Sequence, residues 1–166
     1  MPPDQAPEFS RPLPLGTVRE GGRRLTLTAT PEECRALADR FGILSLESLA
    51  AELRLTPEED GTTRVEGRIA AQLTQACIVT LEPVPQAVDE PVAFRLLPPG
   101  REPQDGPDDI DEIECPDGIA DLGEAVAEQL ALALDPYPRI PGAEMPDEAT
   151  DRSADAFAAL AALRKN

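Results

Sequence analysis

Two stretches of alternating residues, 49–56 and 64–73, constrain the fold of this chain more than any other feature. In the first stretch Leu or Ala occupies every second position from 49 to 55, and mostly polar residues lie between them. In the second stretch apolar residues or glycine recur from 65 to 73 with the same period. Such alternation is typical of strands with one face in a core and the other in solvent. Because the turn-forming sequence Pro-Glu-Glu-Asp-Gly separates the stretches, we predict an antiparallel hairpin, with a bulge near 46–49 where the phase changes.

The segments around the hairpin predict two helices and several shorter strands. Thr30, Pro31 and Glu33 form the capping-box signature of a helix that would end at Gly42. A second helix has the same kind of start, at Asp121, with Glu in the box position. The helices are predicted at 31–41 and 122–134, and the strands at 13–18, 23–29, 78–82, 88–96 and, at most briefly, 110–115.

These elements predict an α+β fold. We expect a mainly antiparallel sheet of about four to six strands, covered by two main helices and followed by a short C-terminal helix. The pattern leaves open whether the sheet closes into a barrel. Residues 1–142 are predicted to form a single domain with an acidic loop at about 98–118, and residues 143–166 a flexible acidic linker and a short amphipathic helix.

The acidic residues are concentrated in one part of the chain. The net charge is −17, and residues 102–151 contain sixteen Asp or Glu against one base, Arg139. Nucleic-acid binders draw much of their affinity from basic surfaces that neutralise phosphates. We therefore expect the acidic part to repel RNA and to attract a basic partner.

The sequence contains none of the apparatus that catalysis or metal binding requires. There is no His, the only lysine is Lys165, and the cysteines Cys34, Cys77 and Cys115 are scattered. A zinc site needs about four ligands at compatible positions, and a nucleophilic cysteine needs a nearby base. No glycine-rich phosphate loop is recognisable either. We predict a protein that is not an enzyme and that uses no metal, no cofactor and no small-molecule substrate.

The composition also predicts where the protein resides. No run approaches the roughly 18 to 20 apolar residues that cross a bilayer, and the first ten residues lack the pattern of a signal peptide. An odd number of scattered cysteines does not form a disulfide framework. We expect a cytoplasmic protein that does not contact a membrane.

Three segments are candidates for binding a partner. Arg54, Arg64 and Arg68 share the outward face of the hairpin, where they could contact RNA, but Glu52 and Glu66 lie between them and favour ordinary cross-strand ion pairs. The second candidate is the proline-rich arm after the second helix, which carries Tyr137, Pro138 and Arg139. Prolines reduce the entropy lost on docking, and Tyr and Arg are common at binding hot spots. The alternative is a purely structural segment that packs back on the helix and ends it. The third is the C-terminal amphipathic pattern, with its apolar side formed by Phe157, Leu160 and Leu163. It could lie on its own domain or dock in the groove of a partner, and its separation by an acidic linker favours a partner.

Five segments of the chain carry a family resemblance: PEFSRPL, EECRALADRFG, QACIVTLEPV, DLGEAVAEQLALALDPYPRIPGA and FAALAALRK. In order and spacing they resemble the YceD family, linked to accumulation of large-subunit ribosomal RNA, and especially its alphaproteobacterial-like branch. The positions that correspond to the family motif are Cys77, Thr80, Leu81, Pro83, Asp121, Leu122, Glu128, Leu132 and Pro136. The chain departs from the pattern in two places. Relatives often have a second cysteine where this chain has Thr80, and Asn-Pro where it has Asp155-Ala156.

The resemblance implies a bacterial, non-enzymatic factor that supports the synthesis, processing or stability of large-subunit ribosomal RNA. Together with the charge distribution, it predicts that the acidic part of the chain binds a basic ribosomal protein or assembly factor. The alternative is a direct RNA-binding module that uses the N-terminal arginines.

Overall fold

A computed structural model describes residues 6–104 and 110–143 of the protein. Its described part contains a five-stranded sheet of order β2-β3-β4-β5-β6, a two-stranded sheet of β1 and β7, and two helices. The strands are β1 (Pro12–Pro14), β2 (Arg23–Thr28), β3 (Ser45–Pro57), β4 (Thr63–Ala76), β5 (Pro83–Leu97), β6 (Asp111–Glu114) and β7 (Ile119–Asp121), and the helices are α1 (Pro31–Phe41) and α2 (Leu122–Ala133). The α+β prediction is confirmed, and the predicted C-terminal helix lies outside the described residues.

The central hairpin of β3 and β4 confirms the prediction from alternation. The two strands pair antiparallel along almost their full length, with Leu53 opposite Gly67. The register shifts between Leu46 and Ser48, where the bulge was expected. The side chains at alternate positions 49 to 55 of β3 are buried. Alternation predicted this hairpin because one face of each strand lies against the core.

The prediction of a strand at 78–82 is wrong, because this segment is the turn between β4 and β5. The strand predicted at 88–96 instead begins at Pro83 and continues to Leu97. Prolines are tolerated at this end because β5 has β4 on one side and contacts β6 only over its last four residues, from Phe94. A proline whose missing N–H faces the unpaired side costs no ladder hydrogen bond.

The large sheet is open rather than closed into a barrel. Strands β2 and β6 form its two edges and do not pair with each other. β6 runs parallel to β5. Strand β7 was not predicted; it pairs antiparallel with β1, and the predicted strand at 13–18 is reduced to Pro12–Pro14 followed by a short 3-10 turn.

Helix α1 matches its predicted bounds because its start and its end are both set by local chemistry. The Thr30 hydroxyl accepts the Glu33 amide, the Glu33 carboxylate accepts the Thr30 amide, and Gly42 ends the helix at a φ of 66°. A left-handed glycine is the common helix stop.

Helix α2 starts at Asp121 as predicted, but it lacks the predicted capping box. The Asp121 carboxylate accepts the amides of Glu124 and Arg11 and the Ser10 hydroxyl, which ties the start of α2 to the N-terminal segment. The Glu124 carboxylate instead accepts two hydrogen bonds from Arg40 at the end of α1.

The core lies between the large sheet and a layer that contains both helices. α1 packs on β3, and α2 contacts β5 and β1. Aromatic side chains are scarce, so the core consists mainly of aliphatic residues, with two phenylalanines fully buried. Its largest fully buried side chains include Phe9, Leu37, Leu49, Leu55, Val65, Ile69, Phe94, Leu122 and Leu130.

Candidate functional site

The turn between β4 and β5 is held tightly by backbone hydrogen bonds. The Cys77 amide donates to the Glu82 carbonyl at 2.8 Å, and the Leu81 amide donates to the Cys77 carbonyl at 2.9 Å. Leu81 has a φ of 63°, the single positive φ outside glycine in the described residues. This conformation costs a non-glycine residue on the order of 1–2 kcal/mol. The side chain of a residue held in this way points in a fixed direction.

The proline-rich arm after α2 packs against this turn. The Pro138 carbonyl accepts a hydrogen bond from the Ile78 amide at 2.9 Å, and the Asp135 carbonyl accepts one from the Gln75 side chain at 3.0 Å. The Asp135 carboxylate also accepts a hydrogen bond from the Tyr137 amide. Pro138 is buried, whereas Tyr137 and its neighbour Arg139 are exposed. The arm is therefore attached through Pro138 and presents the residues on either side of it.

Turn and arm together expose three large apolar side chains at one end of the sheet. Ile78 is 45% exposed, Leu81 76% and Tyr137 69%. We call these three residues the apolar tip. The exposure of Tyr137 agrees with the sequence prediction, whereas Ile78 and Leu81 were not predicted to join it. The Ile78–Pro138 hydrogen bond joins the turn to the arm, and exposed apolar residues on two joined segments are candidates for a binding surface.

The Cys77 thiol lies beneath the tip in a ring of hydrogen-bond donors. The Thr80 hydroxyl and the amides of Thr80, Ile140 and Val79 lower its pKa from 9.0 to about 7, against the opposite effect of burial. The side chain is buried, so the donors stabilise a thiolate inside the turn rather than a nucleophile at the surface. Thr80 is thus the largest cause of the lowered pKa of Cys77.

The other two cysteines are distant in sequence and have ordinary buried surroundings. Burial raises the pKa of Cys34 in α1 and of Cys115 after β6. Within residues 6–104 and 110–143, no group of three or more His, Cys, Asp or Glu side chains could hold a metal ion. The donor set around Cys77 consists of a hydroxyl and amide N–H groups, which does not fit a tetrahedral zinc site.

The three arginines of the hairpin do not form a continuous positive surface. Arg64 donates to Glu66 at 2.9 Å, and Arg68 pairs with Asp89 of β5 at 2.8 Å. Both arginines form ion pairs, but not the predicted cross-strand pairs with Glu52 and Glu66: Arg64 pairs with Glu66 of its own strand, and Arg68 pairs across the strands with Asp89. Arg54 makes no ion pair within the described residues. It lies opposite Arg24 of β2 on one side and opposite Glu66 of β4 on the other.

Arg54 lines a shallow groove on the solvent-facing side of the sheet. The groove has a volume of about 390 Å³, and the charged residues along it are Arg24, Glu52, Arg54 and Glu66. Two positive and two negative side chains leave the groove without net charge. The groove as a whole therefore provides little electrostatic attraction for a phosphate backbone.

The acidic part of the sequence is divided between the two ends of the sheet. The described part of the acidic loop lies near the turn between β3 and β4, where Arg101 pairs with Asp60 at 3.0 Å. The apolar tip lies at the other end of β4, which is 14 residues long. At about 3.3 Å per residue the two ends are roughly 40 Å apart. Among the residues that the structure describes, the acidic loop near Asp60 and the Asp135 carboxylate of the arm therefore lie at opposite ends of the sheet.

The remaining family-motif residues divide into structural and exposed positions. Asp121 caps α2 and Leu122 is buried, whereas Glu128, Leu132 and Pro136 are exposed. Leu132 is 76% exposed, as much as Leu81. Pro83 begins β5.

Two further sequence predictions concern the C-terminal pattern and membrane-spanning segments. Phe157, Leu160 and Leu163 lie outside the described residues. Among the helices that the structure describes, none is long and apolar enough to cross a membrane.

Comparison with known proteins gives one match. A family model described as "Large ribosomal RNA subunit accumulation protein YceD" matches residues 65–164. The match begins at the start of β4 and includes the apolar tip, α2, the arm and the C-terminal segment. No curated protein and no solved structure matches the chain.

Proposed function

The chain belongs to the YceD family of large ribosomal RNA subunit accumulation proteins, and on this premise we propose that it acts without catalysis, as a binding factor. Its partner is a basic ribosomal protein or a ribosome assembly factor. Binding to that partner supports the synthesis, processing or stability of large-subunit ribosomal RNA.

The observation that carries this proposal is the position of the family match relative to the charges. The match covers residues 65–164, which include the whole acidic region 102–151 with its sixteen carboxylates. Arg54 and Arg64 lie outside the match. Arg68 lies inside it. This position of the match supports a role for the acidic part and the apolar tip over one for Arg54 and Arg64.

The apolar tip offers the chemistry that a lysine- or arginine-rich partner needs. Tyr137 presents an aromatic face, over which a cation is attracted, and the carboxylates of Asp135 and Glu82 lie next to the tip in sequence. Because Pro138 is already held by the Ile78 amide, docking on Tyr137 loses little backbone entropy.

The absence of catalysis is part of the proposal. The thiol with the lowered pKa, Cys77, is buried, and the sequence contains no His to act as its base. Measuring RNA cleavage with and without divalent metal ions tests this point directly, and metal-dependent cleavage by the purified chain would overturn it.

The binding proposal is tested by titrating the full chain against purified basic ribosomal proteins at several salt concentrations. We expect binding that weakens with salt, and a loss of about tenfold or more in affinity for Tyr137→Ala, the range of a hot-spot residue. Ile119→Ala is the control, because Ile119 is an exposed apolar residue of β7 and is not one of the family-motif positions. Tight binding to ribosomal RNA fragments without binding to any of these proteins would reject the proposal.

The cellular readout is the ratio of large- to small-subunit ribosomal RNA. Depletion of the protein is expected to lower this ratio, and Tyr137→Ala is expected to restore it less than the wild-type chain does. An unchanged ratio after depletion would contradict the role.

One observation favours the alternative, direct RNA binding. Arg54 makes no ion pair within the described residues and lies beside Arg24, so two guanidinium groups are available for phosphate. If this alternative holds, charge reversal of Arg54, Arg64 and Arg68 together is expected to weaken RNA binding and to lower its dependence on salt concentration. Unchanged RNA binding would reject it.

A further inference from the structure

Helix α2 ends beside β5, and an apolar groove lies between the two elements. The groove has a volume of about 350 Å³, and its apolar lining includes Ile69, Val92, Leu132 and Ala133. Ile69 and Val92 are buried, whereas Leu132 is 76% exposed. An exposed leucine beside an apolar groove is the kind of surface that a binding partner covers.

The groove lies where the large sheet is one strand narrower. β6 pairs with β5 only from Phe94 onwards, so within the described residues positions 90–92 have a strand on one side only. Pro91 has the same parity as Leu97, whose carbonyl accepts the Cys115 amide on the β6 side. The missing N–H of Pro91 therefore faces the open edge, where an added strand would lack a donor. An occupant of the groove is held mainly through its side chains.

Each of the two elements that form the groove carries an exposed carboxylate. Val88 and Val92 of β5 are buried on the core face, and Glu90 between them has the same parity but is exposed. On α2, Glu128 lies four residues before Leu132, which places both on one face of the helix, and it is also exposed. The apolar groove therefore has negative charge on both sides.

The other charged groups near the groove do not cancel this charge. Asp111 of β6 accepts a hydrogen bond at 3.3 Å from Gln129, which lines the groove. Arg68 donates to Asp89 at 2.8 Å, and strand parity places both on the opposite face of the sheet. The hydrogen bond to Asp89 raises the pKa of Arg68, and Glu90 adds a smaller contribution. Arg68 is thus already paired, and the charge that remains on the groove side is negative.

Arg139, an exposed base of the arm, lies too far away to change this balance. It follows Pro138, whose carbonyl accepts the Ile78 amide just beyond the end of β4. Ile69 in the groove lies seven residues before that end, at Ala76, which is roughly 20 Å along the strand. Exposed charges at such a distance are largely screened at physiological salt. The groove and the apolar tip are therefore separate surfaces.

We propose that the groove between α2 and β5 binds a leucine or similar apolar side chain of a basic protein, with lysine or arginine on either side of it against Glu90 and Glu128. The apolar contact provides affinity, and the carboxylates select a basic segment. That this protein is a ribosomal protein or an assembly factor rests on the proposed function, for which the groove is a second contact in addition to the apolar tip.

A short peptide tests the groove without that partner. The probe is Arg-Lys-Leu-Lys-Arg with both ends blocked, and the comparison is Arg-Lys-Ser-Lys-Arg, which has the same charge. Each is titrated into the isotope-labelled full chain while the chemical shifts of the backbone amides are followed. We expect the leucine peptide to shift the amides of Val92, Gln129 and Leu132. It should bind about fivefold or more tightly than the serine peptide, because a leucine that is only partly covered keeps part of the gain from leaving water.

Two pairs of variants locate the contact. Leu132→Ser should weaken binding of the leucine peptide about fivefold or more, and Ile119→Ser should not, because Ile119 is an exposed residue of β7. Glu90→Gln should weaken binding about two- to threefold at low salt and by less at high salt. Its matched control is Glu52→Gln, which removes the same charge from the solvent face of β3 and should have little effect.

Other results would overturn the proposal. Equal affinities of the two peptides, or equal effects of Glu90→Gln and Glu52→Gln, would show that the peptide responds only to net charge. Shifts confined to the apolar tip would place the leucine there, and shifts at Leu132 that depend on protein concentration without peptide would place a second copy in the groove. Absence of binding would show that the groove does not take such a segment. The titrations with basic ribosomal proteins decide the proposed function separately.

Discussion

The amide of Ile78 donates a hydrogen bond to the carbonyl of Pro138 at 2.9 Å, across sixty positions of sequence. This bond joins the turn between β4 and β5 to the arm after α2. Because both segments lie within the family match, at 65–164, the apolar tip is formed by parts of the chain that the family model covers together.

Gln75 provides the second attachment of the arm, and its removal should loosen the tip. Its side-chain amide donates to the Asp135 carbonyl at 3.0 Å from a largely buried position. Gln75→Ala is expected to lower the free energy of unfolding by about 1 kcal/mol, the usual net contribution of one hydrogen bond. Urea denaturation measures this change, and the anisotropy of Tyr137 emission should fall at the same time.

Gln72→Ala is the control for Gln75→Ala, because Gln72 lies on the exposed face of the same strand. It is expected to change stability by less than about 0.5 kcal/mol. Equal effects of the two substitutions would mean that the Asp135 contact does not hold the arm.

The Arg40–Glu124 pair should contribute more to stability than the Arg68–Asp89 pair. Arg40 donates two hydrogen bonds to Glu124, at 2.7 and 2.9 Å, and joins the end of α1 to the start of α2. Both partners are about one-third exposed, whereas Arg68 and Asp89 are more than half exposed. Double-mutant cycles with alanine are expected to give a coupling of about 1 kcal/mol for the first pair and about 0–0.5 kcal/mol for the second. A coupling for Arg68–Asp89 as large as that for Arg40–Glu124 would contradict this ranking.

The elements that sequence predicted well depend on interactions between near neighbours. Helix α1 has its predicted bounds because Thr30, Glu33 and Gly42 set its ends within the helix itself. The β3–β4 hairpin was predictable because alternation and a turn signal agreed. In both cases the deciding sequence signals, the capping pattern and the alternation with its turn, lie in short continuous segments.

The parts that sequence missed depend on distant partners. Residues 78–82 contain Ile, Val, Thr and Leu, which favour a strand locally. They form a turn whose Ile78 amide donates to the Pro138 carbonyl and whose Cys77 pKa is lowered in part by the Ile140 amide. Distant partners also explain what sequence missed at the site. The proline-rich surroundings of Tyr137 predict its exposure, but they do not predict that the arm lies beside the turn with Ile78 and Leu81.

Cys77 should make stability depend on pH in the range from about 7 to 9. The donors around the thiol hold its folded pKa at about 7, below the ordinary value of 9.0. Between these values the unfolded chain binds more protons, so the contribution of Cys77 is absent below about pH 7, rises with pH and is complete above about 9. The measurement is the free energy of unfolding of wild type minus that of Cys77→Ser at several pH values.

This difference is expected to be flat below about pH 7 and to increase towards pH 9. Taking the difference removes the opposite contributions of Cys34 and Cys115, whose folded pKa values are raised. Thr80→Val should reduce the increase, because the Thr80 hydroxyl is the main cause of the lowered pKa. Parallel curves for wild type and Cys77→Ser would show that the thiol is not ionised in the folded protein.

The isolated chain should be less stable with leucine at position 81 than with asparagine. Asparagine tolerates a φ of 63° better than leucine does, so Leu81→Asn is expected to raise the free energy of unfolding by about 0.5–1 kcal/mol. Leu132→Asn is the matched control, since Leu132 is equally exposed but lies in α2. There the lower helix propensity of asparagine should reduce stability by about 0.5 kcal/mol. Opposite signs for these two substitutions, measured by urea denaturation, would indicate that the turn is strained and that Leu81 is retained for a contact. A loss of stability in Leu81→Asn would mean instead that the leucine side chain stabilises the turn itself, and that its exposure needs no partner.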